Sequence, residues 1–108
     1  MKESLTDQLA LLRRHLDRAT AAVATSGSPV ARAVLAEFAR KLDKLAAAMP
    51  TATATPQLSR ELIVELEQAG DSAKVAADAD TAMHADARKL VEIAHNAICV
   101  LKAENPAG

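Results

Sequence analysis

Aromatic residues are almost missing from this chain of 108 residues: Phe38 stands alone, and Trp and Tyr are absent. A core built from it has no second large rigid anchor. The same lack removes the stacking platforms on which proteins hold single-stranded bases, and the basic residues are interrupted by acids, so nucleic acid is not an expected partner. Cysteine occurs once, at Cys99, which excludes an internal disulfide and any paired-cysteine zinc motif. With three glycines and four prolines there is no Gly-rich phosphate loop and no serine nucleophile elbow. Long apolar runs are also lacking. The first turns are broken by Glu3, Asp7, Arg13 and Arg14, so neither a signal peptide nor a membrane span is expected, and the reading is a cytoplasmic bacterial protein.

What is abundant is alanine, at 26 of 108 positions. Ala has the highest helix propensity, while the β-branched and aromatic residues that favour strands are sparse, so no sheet is expected. Apolar residues recur at a four-then-three spacing, first at Leu5, Leu9, Leu12, Leu16, Ala19 and Val23, then at Ala31, Leu35, Phe38, Leu42, Leu45 and Met49. That spacing keeps one narrow stripe turned toward a neighbouring helix. The expected architecture is one all-α domain over residues 1–108, an antiparallel bundle with helices at about 4–25, 29–49, 56–69 and 72–103 and a frayed tail over 105–108.

The boundaries follow from capping chemistry. Thr25, Ser26 and Gly27 end the first helix, and Ser28 before Pro29 restarts the chain, because a Ser oxygen can cap free N–H groups while Pro fits the first helical position. Thr55 and Pro56 repeat that logic after the Thr- and Ala-rich turn that starts at Pro50. Leu58, Leu62, Ile63 and Leu66 mark the third helix. Gly70, Asp71 and Ser72 read as a stop and a new N-cap. The rival reading is one long helix, because Leu62, Leu66, Ala69, Ala73, Ala76, Asp80, Met83, Ala87, Leu90, Ala94, Ala97 and Leu101 hold one register straight through Gly70. In that register Asp80 is the flaw, a carboxylate on the apolar stripe.

Charge is divided between the halves. Basic residues exceed acids before Pro50 and acids exceed bases after it, although the whole chain is near neutral at −1. Opposite halves can attract one another within or between chains. Near the C-terminus Leu90, Val91, Ile93, Ala94, Ala97, Ile98, Val100 and Leu101 span half of a helix circumference, more than one neighbour can cover. The expected function is therefore protein–protein interaction, as a homodimer or with another helical protein, and not catalysis. No residue is assigned as catalytic, cofactor-binding or metal-ligating.

Two short patterns carry alternative chemistry. Glu92, His95, Cys99 and Lys102 align on one helix face at spacings of three and four. Glu92-x-x-His95 resembles the motif with which ferritin-like bundles help to bind two metals, which implies a metal-binding bundle. Those sites use a second such motif, and neither His15 nor His84 has a Glu three positions earlier. His15, Leu16, Asp17, Arg18 and Ala19 resemble the histidine phosphotransfer signature, which implies phosphoryl transfer through His15. Arg18 stands there for the usual Lys and Ala19 for the usual Gly. His84 and His95 fit neither position of that signature. Cys99 falls in the middle of the polar strip, where it is either exposed or covered by a second element.

Overall fold

The computed structural model describes residues 5–48 and 56–104, with the backbone alone over 56–59. Four helices account for nearly all of it: α1 (Leu5–Ser26), α2 (Pro29–Ala48), α3 (Pro56–Ala79) and α4 (Ala85–Glu104). Each packs on the helices before and after it in the chain, α4 closes the ring on α1, and the backbones of diagonal pairs stay apart. Side-chain pairs fix the directions. Arg13 in the first half of α1 meets Asp43 in the second half of α2, Lys41 meets Glu65 across α2 and α3 at 2.9 Å, Lys102 meets Glu67 across α3 and α4 at 2.8 Å, and Gln8 meets Glu104 across α1 and α4. The result is an up-down-up-down four-helix bundle, the expected all-α class.

Both four-three stripes face the interior. Leu9, Leu12, Leu16, Ala19 and Val23 of α1 and Ala31, Leu35, Phe38, Leu42 and Leu45 of α2 are buried, and Leu5 packs against them half-buried. Met49 and Leu58 lie outside the described side chains, as do the Thr55 cap and the 105–108 tail. Among the described residues the interior holds no buried polar or charged residue. Stability must therefore come mainly from apolar burial, at roughly 25 cal/mol per Å² removed from water. The interior is graded along its length: Leu12, Leu42, Leu45 and Leu101 fill the end far from the α1–α2 turn, whereas Ala31, Ala73, Ala77 and Ala87 fill the near end. Small side chains there let the helix axes approach.

The α1–α2 turn follows its sequence signals. Ser28 Oγ accepts the Ala31 N–H at 3.2 Å, the Ser28 carbonyl accepts the Arg32 N–H at 3.0 Å, and Pro29 is the first residue of α2. This is an N-cap three positions before the bonded N–H with Pro where no donor is needed.

The second half departs from both sequence readings. α3 runs without interruption through Gly70, Asp71 and Ser72, so the expected break is absent, and the chain turns ten residues later, so the single long helix is absent too. Gly70 does not have a positive φ. Its value is space: a Cβ at Gly70 would stand 3.0 Å from Ile98 Cγ2 and 3.3 Å from Phe38 Cζ. The sole aromatic ring enters the notch that this glycine leaves in α3.

The turn falls at Asp80, the carboxylate that a continuous stripe would have to bury. Leaving the helix there lets Asp80 Oδ2 accept the Ser28 N–H at 2.8 Å and Oδ1 accept the Ala82 N–H at 3.1 Å. Arg88 then donates to the carbonyls of Ala77 at 3.2 Å and Asp80 at 2.9 Å, a cation on the C-terminal end of α3 that satisfies carbonyls the helix leaves open. Met83 closes this end of the interior.

Two predictions follow from the notch and the turn. Gly70→Ala should lower stability by about 1–2 kcal/mol, overriding the propensity gain of about 1 kcal/mol, because Ile98 and Phe38 are fully buried and cannot retreat. In an Ile98→Ala background, which lacks the Cγ2 methyl, the same change should cost less; equal losses by urea denaturation in both backgrounds would remove the notch argument. At the turn, the Ser28 N–H first and then the Ala82 N–H hold the Asp80 carboxyl below its ordinary value. A depressed folded-state pKa stabilises the fold where the carboxylate is ionised and loses that effect as pH falls below about 4. Asp80→Asn should therefore melt lower than the wild type at pH 7, with the two melting temperatures converging toward pH 2.

Candidate functional site

Three members of the polar strip of α4, His95, Cys99 and Lys102, lie along the edge of α3. At 100° per residue His95, Cys99 and Lys102 rise on one side of α4, and Glu67 and Asp71, four apart, rise on the facing side of α3. Because α3 stays helical through Gly70, those two carboxylates share one edge. Lys102 Nζ binds Glu67 Oε1 at 2.8 Å, one turn from an His95 Nε2–Asp71 Oδ1 contact of 2.7 Å. Cys99 Sγ stands 3.7 Å from the same Nε2.

Asp71, His95 and Cys99 thus bring an oxygen, a nitrogen and a sulfur within 4.8 Å of one another. Asp71 is exposed, whereas His95 and Cys99 are half-buried. The other ring nitrogen, His95 Nδ1, is buried and has no hydrogen-bond partner. Burial pushes the Cys99 thiol above its ordinary value, and the Glu67 and Asp71 carboxylates add to the rise against the opposing Lys102. The Lys102 ammonium is held above its usual range by its bond to Glu67. Cys99 is consequently a protonated thiol at neutral pH, because burial and the two carboxylates outweigh the activation that Lys102 offers.

The geometry also separates this cluster from a catalytic triad. In a relay the acid holds one imidazole nitrogen while the nucleophile meets the other. Here Asp71 and Cys99 converge on one nitrogen, which describes three donors around a common point.

The other sequence candidates are dispersed. Glu92 is exposed and stands outside the cluster; its charge acts on Lys74. The expected Glu92–His95 pairing is thus replaced by an Asp71–His95 pairing across two helices. His84 lies exposed at the entrance to α4, where its carbonyl accepts the Arg88 N–H at 3.0 Å. His15 is half-buried on α1, and Ala19, the small residue of the phosphotransfer pattern, is completely buried and opens no space on the surface. Glu67 was not singled out in the sequence, and Asp71 was read only as part of a turn. Their signal was the matched spacing Glu67-x-x-x-Asp71 and His95-x-x-x-Cys99, legible only once both pairs lie on unbroken helices.

An open groove of about 400 Å³ runs between α2 and α3 beside Val34, Lys41, Glu65 and Ala69. Its charges are already matched, with Glu65 bonded to Lys41 at 2.9 Å and near Lys44 at 3.5 Å. The Lys41 ammonium holds the Glu65 carboxyl below its usual range. This pair joins the basic first half to the acidic second half within one chain.

Metal-free Cys99 should react with iodoacetamide more slowly than an unstructured cysteine peptide at pH 8. Asp71→Asn should raise the rate severalfold by removing a carboxylate that opposes the thiolate, and Lys102→Met should lower it. Equal rates for all three proteins, measured by mass spectrometry, would contradict the electrostatic account.

No family model matches this chain, and no curated protein or solved structure is similar to it.

Proposed function

We propose that this chain is a helical interaction module that self-associates through the outer face shared by α1 and α4. One observation carries the reading: Val100 and Leu11 are 54% and 36% exposed, and each stands one turn along its helix from the Gln8–Glu104 contact. Leu11 follows Gln8 by three residues and Val100 precedes Glu104 by four, so each shares a helix side with a residue of that contact. Ile93, seven positions before Val100 and half-buried, continues the stripe along α4. Exposed apolar residues are ordinary singly; a run along one inter-helix edge marks a contact surface.

The charges beside this stripe support a second copy as the occupant. Arg14 and Arg18 follow Leu11 by three and seven residues, and Asp86 precedes Ile93 by seven. All three are exposed, and no ion pair holds them among the described residues. A face with an unpaired basic edge on one helix and an unpaired acid on the other can complement itself about a two-fold axis, as an isologous dimer requires. No helix among the described residues is long and apolar enough to cross a membrane, so this stripe is not part of a membrane span.

Sedimentation velocity from 1 to about 100 μM should show a reversible dimer, with affinity falling at least about tenfold, about 1.4 kcal/mol, in Leu11→Glu and Val100→Glu. Both side chains reach the surface, so helicity by circular dichroism should hold. A wild-type monomer throughout that range would refute self-association.

A further inference from the structure

We propose that Asp71, His95 and Cys99 form a binding site for a transition-metal dication of the zinc type, on the α3–α4 edge. The donor set narrows the class of ion. Magnesium and calcium select oxygen ligands, whereas imidazole nitrogen, thiolate sulfur and a carboxylate oxygen together suit zinc and its neighbours.

The separations suit a shared ion. With bonds of about 2.0–2.3 Å, ligands at two corners of a tetrahedron stand roughly 3.3–3.8 Å apart. His95 Nε2 and Cys99 Sγ, at 3.7 Å, already meet that spacing. Asp71 and His95, at 2.7 Å, stand closer because a hydrogen bond joins them, and the exposed Asp71 side chain has room to withdraw by under about 1 Å. The backbone provides the platform: His95 and Cys99 occupy successive turns of one helix, and Asp71 sits inside a helix whose path the Phe38 ring fixes at the adjacent Gly70.

Convergence on a single ring nitrogen is the decisive feature. An ion on Nε2 displaces the proton that this nitrogen donates to Asp71 and gains bonds to both flanking donors; the neutral ring changes tautomer, giving up its Nε2 proton to solvent and taking one up from solvent on Nδ1. Binding requires the thiolate, so Cys99 releases its proton to solvent as the metal–sulfur bond forms. The fourth position is open to water or to Glu67, which lies one turn from Asp71 and would have to leave Lys102.

Two features limit the strength of the site. Lys102 places a cation beside the thiol, and Nδ1 is buried with no acceptor, whereas ligating histidines ordinarily donate that proton to a second group. Loss of such an outer partner weakens binding about 10–100-fold. The site should accordingly bind in the micromolar range. It uses the side of α4 away from Ile93 and Val100, so it stands independently of self-association.

Cys99 is the only thiol of the chain, so a thiolate–cobalt absorption band can arise from this site alone. The full chain, purified without an affinity tag and stripped with chelator, is titrated with Co²⁺ and then with Zn²⁺. The expected result is a near-ultraviolet thiolate-to-cobalt band saturating at one equivalent and displaced by Zn²⁺. Cys99→Ser should abolish the band, and His95→Gln and Asp71→Asn should weaken binding at least tenfold with unchanged helicity. Should His95→Gln lose helicity, the surface change Asp71→Asn decides the point. No band at millimolar Co²⁺, or a band indifferent to Asp71→Asn, would overturn the proposal.

Discussion

The insertion of Phe38 into the notch at Gly70 is the constraint on which the second half of the bundle depends. In an interior otherwise built from aliphatic side chains and Ala, one aromatic ring needs a local void, and only a residue without Cβ leaves one at this level of α3. The notch is a steric requirement, not a conformational one, since Gly70 keeps an ordinary helical φ. Its consequence reaches the surface: α3 continues, Glu67 and Asp71 remain four residues apart on one edge, and that edge meets the polar strip of α4. A turn at Gly70 would have carried Asp71 into a loop and separated it from His95.

With α3 continuing through the notch, reversal of the chain passes to Asp80. A carboxylate cannot enter an interior in which no other polar side chain is buried among the described residues without a large desolvation cost. Outside the helix it serves two turns at once, taking one N–H from the α1–α2 connection and one from its own loop. Arg88 reaches the carbonyls on the other side of the same loop. The end of the bundle with the smaller side chains thus carries a network of directional bonds that adds to its apolar packing.

These features explain what could be read in the sequence. The α1 and α2 stripes were legible because periodicity reports directly which face is buried, and Ser28 with Pro29 was legible because capping is local chemistry. Gly70 was misread because a glycine that ends a helix and a glycine that admits a neighbour's ring are the same letter; the difference lies in Phe38 and Ile98, 32 and 28 positions away. Asp80 was visible as a flaw in the stripe, yet the rule that placed the break at Gly70 hid its meaning. The site failed in the same way. Spacing within α4 grouped His95 with Glu92, but the partner that meets the imidazole is Asp71, and inter-helix register cannot be recovered from one helix alone.

The rotation of α4 ties its two edges together. Burying the middle of its apolar arc would place Leu90, Ala94, Ala97 and Leu101 centrally in the interior. The buried set is instead Ala87, Val91, Ala94, Ile98 and Leu101, whose centre lies about 50° round from that middle at 100° per residue. The rotation turns His95, Cys99 and Lys102 toward the carboxylates of α3, and turns Ile93 and Val100 outward by the same angle. Had the helix rolled back to cover Val100, the Lys102–Glu67 and His95–Asp71 contacts would have opened toward solvent. A polar edge paired with α3 and an apolar edge left at the surface are thus two results of one packing choice. The arc too broad for one neighbour is broad because α4 divides it between the interior and the surface.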